Sequence, residues 1–192
     1  MENNTDTFSD SVLIKAYLHG DDKAFELLYN RYRKQLYGYL HNLLRNSGVD
    51  PDDIFEETWL KAINKLSKYH DDGRFSAWLF RLAHNIFIDH IRQNRNRVFI
   101  SADQENMPEL PAPDHQRPGD ELSNLELGTE IQQAVSKLSD EQREVFLLRQ
   151  QELSFKEIAS IQKCSVNTAL SRMNYAIKNL RIFLEETRNL IK

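Results

Sequence analysis

The stretch LSFKEIASIQKCSVNTALSRMNYAIKNL, which runs from Leu153 to Leu180, predicts two helices joined by a tight turn. Ser154 and Glu157 have the spacing of a capping box, in which each side chain accepts a hydrogen bond from the other residue's backbone N–H. Ser165 is a second helix-start residue. Apolar residues then recur near helical spacing at Val166, Ala169, Leu170, Met173, Ile177, Leu180 and Leu184. This layout is typical of a helix-turn-helix, whose second helix enters the DNA major groove.

The same layout also occurs in helical proteins that do not bind DNA, so the motif alone leaves both interpretations open. Two residues depart from the usual pattern. Lys163 occupies the turn position that often holds Gly, and apolar Leu170 follows Ala169 on the face expected to be exposed. The rest of that face is polar and consists of Asn167, Thr168, Ser171, Arg172, Asn174, Tyr175 and Lys178.

Charge is unevenly distributed along the 192 residues, although the net charge is only −4. Residues 72–100 contain five arginines and two aspartates, whereas residues 101–128 contain seven acidic residues and one arginine. The composition excludes a uniformly basic nucleic-acid binder, and the segregated charge indicates a basic surface followed by an acidic segment. The chain is long enough for one domain or two small ones.

Several classes of protein are disfavoured by what the sequence lacks. Cys164 is the only cysteine, which excludes an internal disulfide and a Cys-rich zinc site, and we expect it to be a small packing residue. The six histidines form no metal-binding pattern, so we expect no metal and no cofactor. The sequence shows no signal peptide and no membrane-spanning run, which predicts a cytoplasmic protein without membrane insertion. Because no nucleophile–base pair or phosphate loop is recognisable, we do not expect an enzyme.

The helical patterns fall into two groups, and together they predict an all-α fold of two small helical domains. The first group has helices over about 10–18 and 21–45, one that starts at Asp50-Pro51, and one over about 75–95. Residues 101–120 contain four of the five prolines, which predicts a flexible acidic linker. The second group includes a helix start at Ser139 and the helix-turn-helix. We therefore expect a first domain over 1–98, a linker over 99–128 and a second domain over 129–192.

The helix that starts at Phe75 carries a second candidate nucleic-acid surface. Its inner face can be made by Phe75, Trp78, Leu79, Leu82, Ile86 and Ile91, and its polar face by Arg74, Arg81, His84, Asn85, Asp89, Arg92 and Gln93. Basic side chains contact phosphates, and Asn, Gln and Arg can read base edges. Tyr69 and Phe75 could stack on unpaired bases. The alternative is a solvated helix with core aromatics, which we favour for Trp78.

Taken together, these segments resemble a known family. DPDDIFEETWLKAINKL (50–66) and GRFSAWLFRLAHNIFIDHIRQNRNR (73–97) resemble the second conserved region of bacterial RNA polymerase sigma factors. Residues 138–180, which start LSDEQREVFLL, resemble their fourth region. The short acidic linker in place of a third domain is similar to the extracytoplasmic-function (ECF) group. The resemblance covers nearly the whole chain, in order.

The resemblance implies a transcription initiation factor that binds core RNA polymerase, directs it to promoters and helps to melt the start region. Its partners would be the clamp and flap of the polymerase, promoter DNA and, in many members of the group, an anti-sigma factor. The docking residues carried over from the family are Asp52, Asp53, Glu56, Glu57, Leu60 and Lys61. The acids among them could also serve simply to complement the helix dipole. Glu56 departs from the Gln that the family commonly has.

The resemblance also assigns the two DNA surfaces. The minus-ten element would be bound by Tyr69, His70, Arg74, Phe75, Asn85, Asp89, Arg92 and Gln93. The minus-thirty-five element would be bound by the polar face Asn167, Thr168, Ser171, Arg172, Asn174, Tyr175 and Lys178. Leu170 replaces the usual Lys or Arg of the family, and we expect it to alter sequence preference, through contact with a thymine methyl group for example.

Two alternatives remain at this point. The acidic linker could thread toward the polymerase active centre as a nucleic-acid mimic, or it could serve solubility alone. The chain could instead be a stand-alone helix-turn-helix regulator with an N-terminal helical sensor domain. The need for core polymerase in DNA binding distinguishes that regulator from a sigma factor.

Overall fold

The computed structural model describes residues 8–45, 47–70, 73–101 and 130–190, and within these ranges the protein is helical without any strand. The predicted all-α class is therefore confirmed. The helices are α1 (Asp10–Leu18), α2 (Asp22–Leu44), α3 (Pro51–Leu66), α4 (Phe75–Ser101), α5 (described from 130 to 136), α6 (Asp140–Gln150), α7 (Phe155–Ile161) and α8 (Val166–Leu190). We call α1–α4 the N-terminal block and α5–α8 the C-terminal block.

Local capping explains most of the helix starts. The Asp50 carboxylate accepts from the Asp52 N–H at 2.9 Å, with Pro51 at the first helical position. The predicted cap at Ser139 is confirmed, since its hydroxyl accepts from the N–H three residues on. The capping box at the start of α7 is also confirmed. Helix α4 begins at the predicted residue but continues to Ser101, six residues beyond the predicted end.

In the N-terminal block, α1 and α3 pack against α2, and α4 packs against α3. Asp10 holds α1 to α2 by accepting from the Tyr32 hydroxyl at 2.5 Å and from the Arg31 guanidinium. Burial and this bond raise the pKa of Tyr32 well above its ordinary value. An aromatic cluster joins α2 to α3, with the Tyr29 and Trp59 ring centroids 4.9 Å apart. Together these contacts hold α3 and α4 at a fixed angle to α2.

Helix α8 differs from its predicted apolar face. Ala169, Ala176 and Leu180 are buried, whereas Val166 is 42% exposed. Leu170 is 38% exposed, which agrees with its place on the face expected to be exposed. The helix needs only a narrow buried stripe, because the short helices α6 and α7 cover just one side of it. The rest of the face is left to solvent.

The two blocks pack against each other, with α6 against α2 and α7 against α4. One cluster of buried apolar side chains extends without a break from Leu13 in α1 to Ala169 in α8. Residues 102–128 of the predicted linker lie outside the described residues, whereas 99–101 belong to α4. The division at 98 and 129 stays a prediction. No helix in the described part of the chain is both long enough and apolar enough to cross a bilayer.

A buried arginine joins the first two helices of the C-terminal block. Arg143 in α6 is 3% exposed, and its guanidinium donates to the carbonyls of Val135, Ser136 and Leu138 at 2.9–3.2 Å. Val135 and Ser136 lie in the last turn of α5 and Leu138 just beyond it, where carbonyls lack the N–H partner four residues on that they would have inside a helix. The Arg143 guanidinium also lies 3.0 Å from the Asp140 carboxylate. This one side chain therefore fixes α5 to α6.

We predict that Arg143→Ala lowers the free energy of unfolding by roughly 3 kcal/mol, because three carbonyls lose a charged donor at once. Urea titration followed by circular dichroism measures the change. Arg181→Ala, an exposed arginine on α8, is the control and should stay within about 0.5 kcal/mol of the unmodified protein. Equal effects of the two substitutions would contradict the role given to Arg143.

Candidate polymerase and DNA surfaces and the site between the blocks

The recognition face of α8 is a continuous polar stripe. Asn167, Ser171, Asn174, Tyr175 and Lys178 are exposed, and their spacing of three and four residues places them on one side of the helix. Tyr175 is 60% exposed, which is high for an aromatic side chain. This side of α8 can therefore approach a groove or another flat polar surface.

The other two predicted residues of this face have local partners. The Thr168 hydroxyl lies 2.8 Å from the Ser165 hydroxyl, which caps α8 by accepting from the Thr168 N–H. The Arg172 guanidinium donates to the Gln162 side-chain oxygen at 2.9 Å. Thr168 and Arg172 thus stabilise the start of the helix and the turn before it in this structure.

The turn between α7 and α8 has the backbone that a helix-turn-helix requires. Lys163 lies in the left-handed region with a φ of 51°, and the Cys164 N–H donates to the Ala159 carbonyl at 3.0 Å. A lysine adopts this conformation at a cost of about 1 kcal/mol, which glycine would avoid. The departure at Lys163 therefore leaves the geometry of the turn intact. Cys164 itself is partly buried against the core, as expected for a packing residue.

Helix α3 presents an acidic stripe with one large apolar side chain. Asp52, Asp53, Glu56 and Leu60 are exposed, and Leu60 shows 62% of its surface to solvent. Glu57 is partly buried instead. Its carboxylate lies 2.6 Å from the Lys61 ammonium group and 2.8 Å from the His90 ring. The hydrogen bond from Lys61, and with it that from His90, lowers the pKa of Glu57 despite its partial burial. An exposed leucine beside acids is suited to contact with a partner protein.

Most, but not all, of the residues predicted to bind the minus-ten element are exposed on α4 and the loop before it. His70, Arg74, Asp89, Arg92 and Gln93 are exposed, and Asn85 is half-buried. Phe75 is 1% exposed, because its ring packs between Tyr32 and Trp78. In this structure the ring is therefore inaccessible to an unpaired base.

The neighbouring aromatic residues lie nearer the surface. Tyr69 is half-buried, with its ring centroid 5.0 Å from that of Trp78. Trp78 is also half-buried and packs against the core, which agrees with the core role favoured for it. Of the two candidate stacking residues, Tyr69 alone has an accessible edge.

The prediction that His84 belongs to the polar surface of α4 is wrong. His84 is 7% exposed and faces the C-terminal block, where its Nδ1 donates to Glu144 Oε1 at 2.6 Å. The buried Tyr39 hydroxyl donates to the same oxygen at 2.8 Å. Glu144 Oε2 accepts from the Gln162 side-chain amide at 3.0 Å. One carboxylate from α6 thereby joins α2, α4 and the turn before α8.

These bonds determine the ionisation of the buried groups. Burial by itself raises the pKa of a carboxyl group, but hydrogen bonds from His84, Gln162 and Tyr39 hold the pKa of Glu144 below its usual value. Burial, and then the neighbouring Glu144, raises the pKa of the Tyr39 phenol. The site therefore holds an ionised carboxylate that accepts from a neutral phenol. We call Tyr39, His84, Glu144 and Gln162 the Glu144 hub.

Two exposed contacts flank the Glu144 hub. The Arg81 guanidinium donates to the Ser160 hydroxyl at 3.0 Å, and Arg74 lies 3.9 Å from the Glu157 carboxylate. Although burial opposes it, bonding from Ser154 lowers the pKa of Glu157. Arginines from the candidate DNA surface of the N-terminal block thus contact the first helix of the helix-turn-helix.

The sequence analysis missed the Glu144 hub, although one signal for it was present. His84 follows Ala77 and Phe80 at helical spacing, so it falls on the buried stripe of α4 rather than on its polar face. Glu144 likewise precedes Leu147 and Leu148 by three and four residues. A polar residue on an apolar stripe signals a buried partner without revealing which residue that partner is.

Comparison with known proteins matches both blocks. Residues 28–97 match the family model described as Sigma-70 region 2, and residues 128–180 match the model described as Sigma-70, region 4. The ECF RNA polymerase sigma factor SigW of Bacillus subtilis is 30% identical over 174 residues, which cover 88% of this chain and 92% of that protein. The ECF RNA polymerase sigma-E factor of Haemophilus influenzae is 28% identical over 171 residues, covering 86% and 89% of the two chains.

Solved structures share the fold. The sigma factor RpoE in complex with the anti-sigma factor NepR from Bartonella quintana gives a TM-score of 0.63 at 24% identity, over 85% of this chain and 98% of that one. CnrH in complex with the cytosolic domain of CnrY gives a TM-score of 0.63 at 23% identity, over 93% and 99% of the two chains.

We predict that the stabilising effect of Glu144 depends on pH. Because the pKa of Glu144 is lowered in the folded protein, its contribution is fully present above about pH 5, above the ordinary carboxyl pKa, and is lost as the pH falls through the folded-state pKa. Glu144→Gln should lower the free energy of unfolding by about 2 kcal/mol at neutral pH. The difference in the free energy of unfolding between this variant and the unmodified protein should become smaller below about pH 4. Urea titrations of both proteins across this pH range measure it.

The control is Glu141→Gln, which removes an exposed carboxylate one turn earlier on α6. It should change stability little at any pH. A stability difference for Glu144→Gln that stays constant down to about pH 3.5 would show that the charge of Glu144 does not contribute.

Proposed function

The chain belongs to the ECF group of RNA polymerase sigma factors, and we propose that its two blocks divide promoter recognition between them. A sigma factor is a transcription initiation factor: it binds core RNA polymerase and directs the enzyme to promoters. The protein would act by binding alone, in the cytoplasm, with no catalytic centre of its own. One observation carries the assignment of roles, namely that acidic α3 and polar α8 present exposed stripes on different blocks.

The N-terminal block would dock on the clamp of the polymerase through Asp52, Asp53, Glu56 and Leu60. Their exposure on one side of α3 supports this role, because the acids can meet a basic surface while the leucine is buried against it. Glu57 and Lys61 would support the stripe from within, through their mutual ion pair. The C-terminal block would lie near the flap.

The minus-ten element would be bound by the exposed side chains of α4 and the preceding loop, His70, Arg74, Asp89, Arg92 and Gln93, with Asn85 beside them. The half-buried Tyr69 could stack on a base at its accessible edge. We assign Phe75 to the core that supports this surface, because its ring is covered. Opening a base pair costs a few kcal/mol, which stacking and polymerase contacts must offset.

The minus-thirty-five element would be read by the exposed stripe of α8, Asn167, Ser171, Asn174, Tyr175 and Lys178. Thr168 and Arg172 would join it from the helix start, where they lie half-buried. Leu170 is exposed on the same side, so it can contact a thymine methyl group where the family usually has a basic residue.

An anti-sigma partner is also part of the proposal. A structurally similar protein is described in complex with an anti-sigma factor, and the exposed stripes of α3 and α8 are surfaces that an inhibitor could cover. The stand-alone regulator is the less favoured alternative. It would bind duplex DNA without core polymerase, whereas a sigma factor needs the polymerase.

We predict that Asp52→Lys/Asp53→Lys weakens binding to core RNA polymerase by at least about tenfold, because two attractive charges become repulsive. Pull-down with purified bacterial core enzyme, followed by titration, measures the change. Asp22→Lys/Glu26→Lys is the matched control, since it reverses two exposed acids in the first turns of α2. Equal weakening by both pairs would contradict the proposed docking surface.

We predict that Leu170→Arg changes the DNA preference of the polymerase complex. A new phosphate contact should steepen the salt dependence of binding by about one unit of slope, and a new base contact should change the preferred sequence. Selection from randomised minus-thirty-five duplexes, with salt titration, measures both. Val12→Arg adds the same charge at an exposed position of α1, away from the proposed DNA surfaces, and should change neither. The hypothesis for Leu170 fails if Leu170→Arg also changes neither quantity.

A further inference from the structure

In this structure α4, which carries part of the proposed minus-ten surface, is held against α7, the helix that precedes the recognition helix α8. Arg81 on α4 donates to Ser160 on α7 at 3.0 Å, and Arg74 lies 3.9 Å from Glu157. Tyr39, His84 and Glu144 of the Glu144 hub are buried. Two arginines of the N-terminal block thus contact the C-terminal block, and one of them, Arg74, belongs to the proposed minus-ten surface. We call this arrangement the closed form.

The closed form is too short to contact both promoter elements. The centres of the minus-ten and minus-thirty-five elements are about 25 base pairs apart, which is about 85 Å of duplex at 3.4 Å per pair. Helix α8, with 25 residues, is itself only about 37 Å long. Blocks that are packed together in this way cannot reach both elements at once, so they must separate.

The chain between the blocks is long enough for this separation. Residues 102–129 connect them, and roughly 28 residues can span up to about 95 Å when extended. Opening thus needs no unfolding of either block. It does require that every contact between α2, α4, α6 and α7 be broken.

We propose that the Glu144 hub is an intramolecular latch, which holds the chain closed and limits the fraction of molecules able to bind polymerase and promoter DNA together. This inference rests on the proposed function. The latch residues are Tyr39 and His84 from the N-terminal block and Glu144 from the C-terminal block, with Gln162 as the link to α8. The regulation would be built into this chain and would act without any inhibitor protein.

The chemistry of the Glu144 hub suits a contact that must open. A buried charge adds little net stability even when it is hydrogen-bonded, because the cost of desolvating it offsets the bonds that it gains. Once the blocks separate, water can bond the carboxylate, the imidazole and the phenol. An all-apolar interface would lose more on opening. Removing one partner alone is different, since it leaves the others buried without their bonds and so favours the open form.

The hydrogen bonds also connect the latch to the recognition helix. Gln162 donates to Glu144 and accepts from Arg172, so the closed form restrains a residue of the proposed minus-thirty-five surface. When Glu144 moves away, Gln162 loses that partner and Arg172 is less restrained. Opening would therefore release Arg74 of the proposed minus-ten surface directly, and Arg172 of the proposed minus-thirty-five surface through Gln162.

The latch has a quantitative consequence for binding. The apparent dissociation constant is the intrinsic constant divided by the open fraction. Weakening the latch should therefore tighten polymerase binding, until the open form predominates. Most interface mutations weaken binding, so an increase in affinity is a distinctive signature.

The test uses full-length Glu144→Gln, with Tyr39→Phe as a milder variant that removes only a hydroxyl group. The control is Glu141→Gln, which carries the same change at an exposed site on α6. Small-angle scattering of the unbound protein measures opening, and titration with core polymerase measures affinity. We expect both latch variants to have a larger radius of gyration and at least about fivefold tighter binding, with the control unchanged.

The converse experiment locks the chain closed. Arg81→Cys/Ser160→Cys in a Cys164→Ser background can be joined by a bis-maleimide linker, and the same protein capped with N-ethylmaleimide is the matched control. The linked protein should lose binding to a promoter fragment in the presence of core polymerase, whereas the capped protein should retain it.

The outcomes separate this inference from the proposed function. If latch variants open but bind polymerase no more tightly, or if the linked protein still binds the promoter normally, the latch is overturned and the sigma factor function stands. If latch variants lose affinity, the contact supports binding and the inference is also wrong. If no variant and not even the unmodified protein binds polymerase, the proposed function fails and the latch fails with it.

Discussion

The arrangement of this protein depends on one buried carboxylate. Glu144 is 6% exposed, and an ionised group in that position is tolerated only when its oxygens are bonded. Its three donors come from α2, α4 and the end of α7, so satisfying this one charge fixes the relative positions of both blocks. The apolar cluster around it supplies the bulk of the burial, but apolar packing is not directional. The carboxylate therefore selects one packing of the blocks among several possible ones.

Around this centre, the surfaces that a sigma factor needs remain accessible to different degrees. The stripes on α3 and α8 are exposed, whereas the arginines of α4 are partly engaged by α7. In the closed form, then, engagement of polymerase and promoter DNA by both blocks together would follow only after opening.

Local features of this fold were predictable, and distant contacts were not. The caps at Asp50, Ser139 and Ser154 were correct, because a cap depends on residues only three or four positions apart. The helix-turn-helix and the exposed α3 acids followed from the same short-range rules. His84 was misplaced because its partner is 60 residues away. Phe75 was correctly placed on the inner face of α4, but the covering of its ring by Tyr32 and Trp78 depends on neighbours from two elements. Sequence periodicity shows which residues face inward, but it does not show what they meet.

The most direct measurement is the distance between the blocks before and after the protein engages a promoter. Dye pairs at Asp22→Cys on α2 and Lys156→Cys on α7, both exposed, would report it by single-molecule energy transfer in a Cys164→Ser background. The account predicts high transfer in the unbound protein and low transfer in a complex with core polymerase and promoter DNA, as the blocks separate toward elements about 85 Å apart. High transfer that persists in an active promoter complex would contradict it.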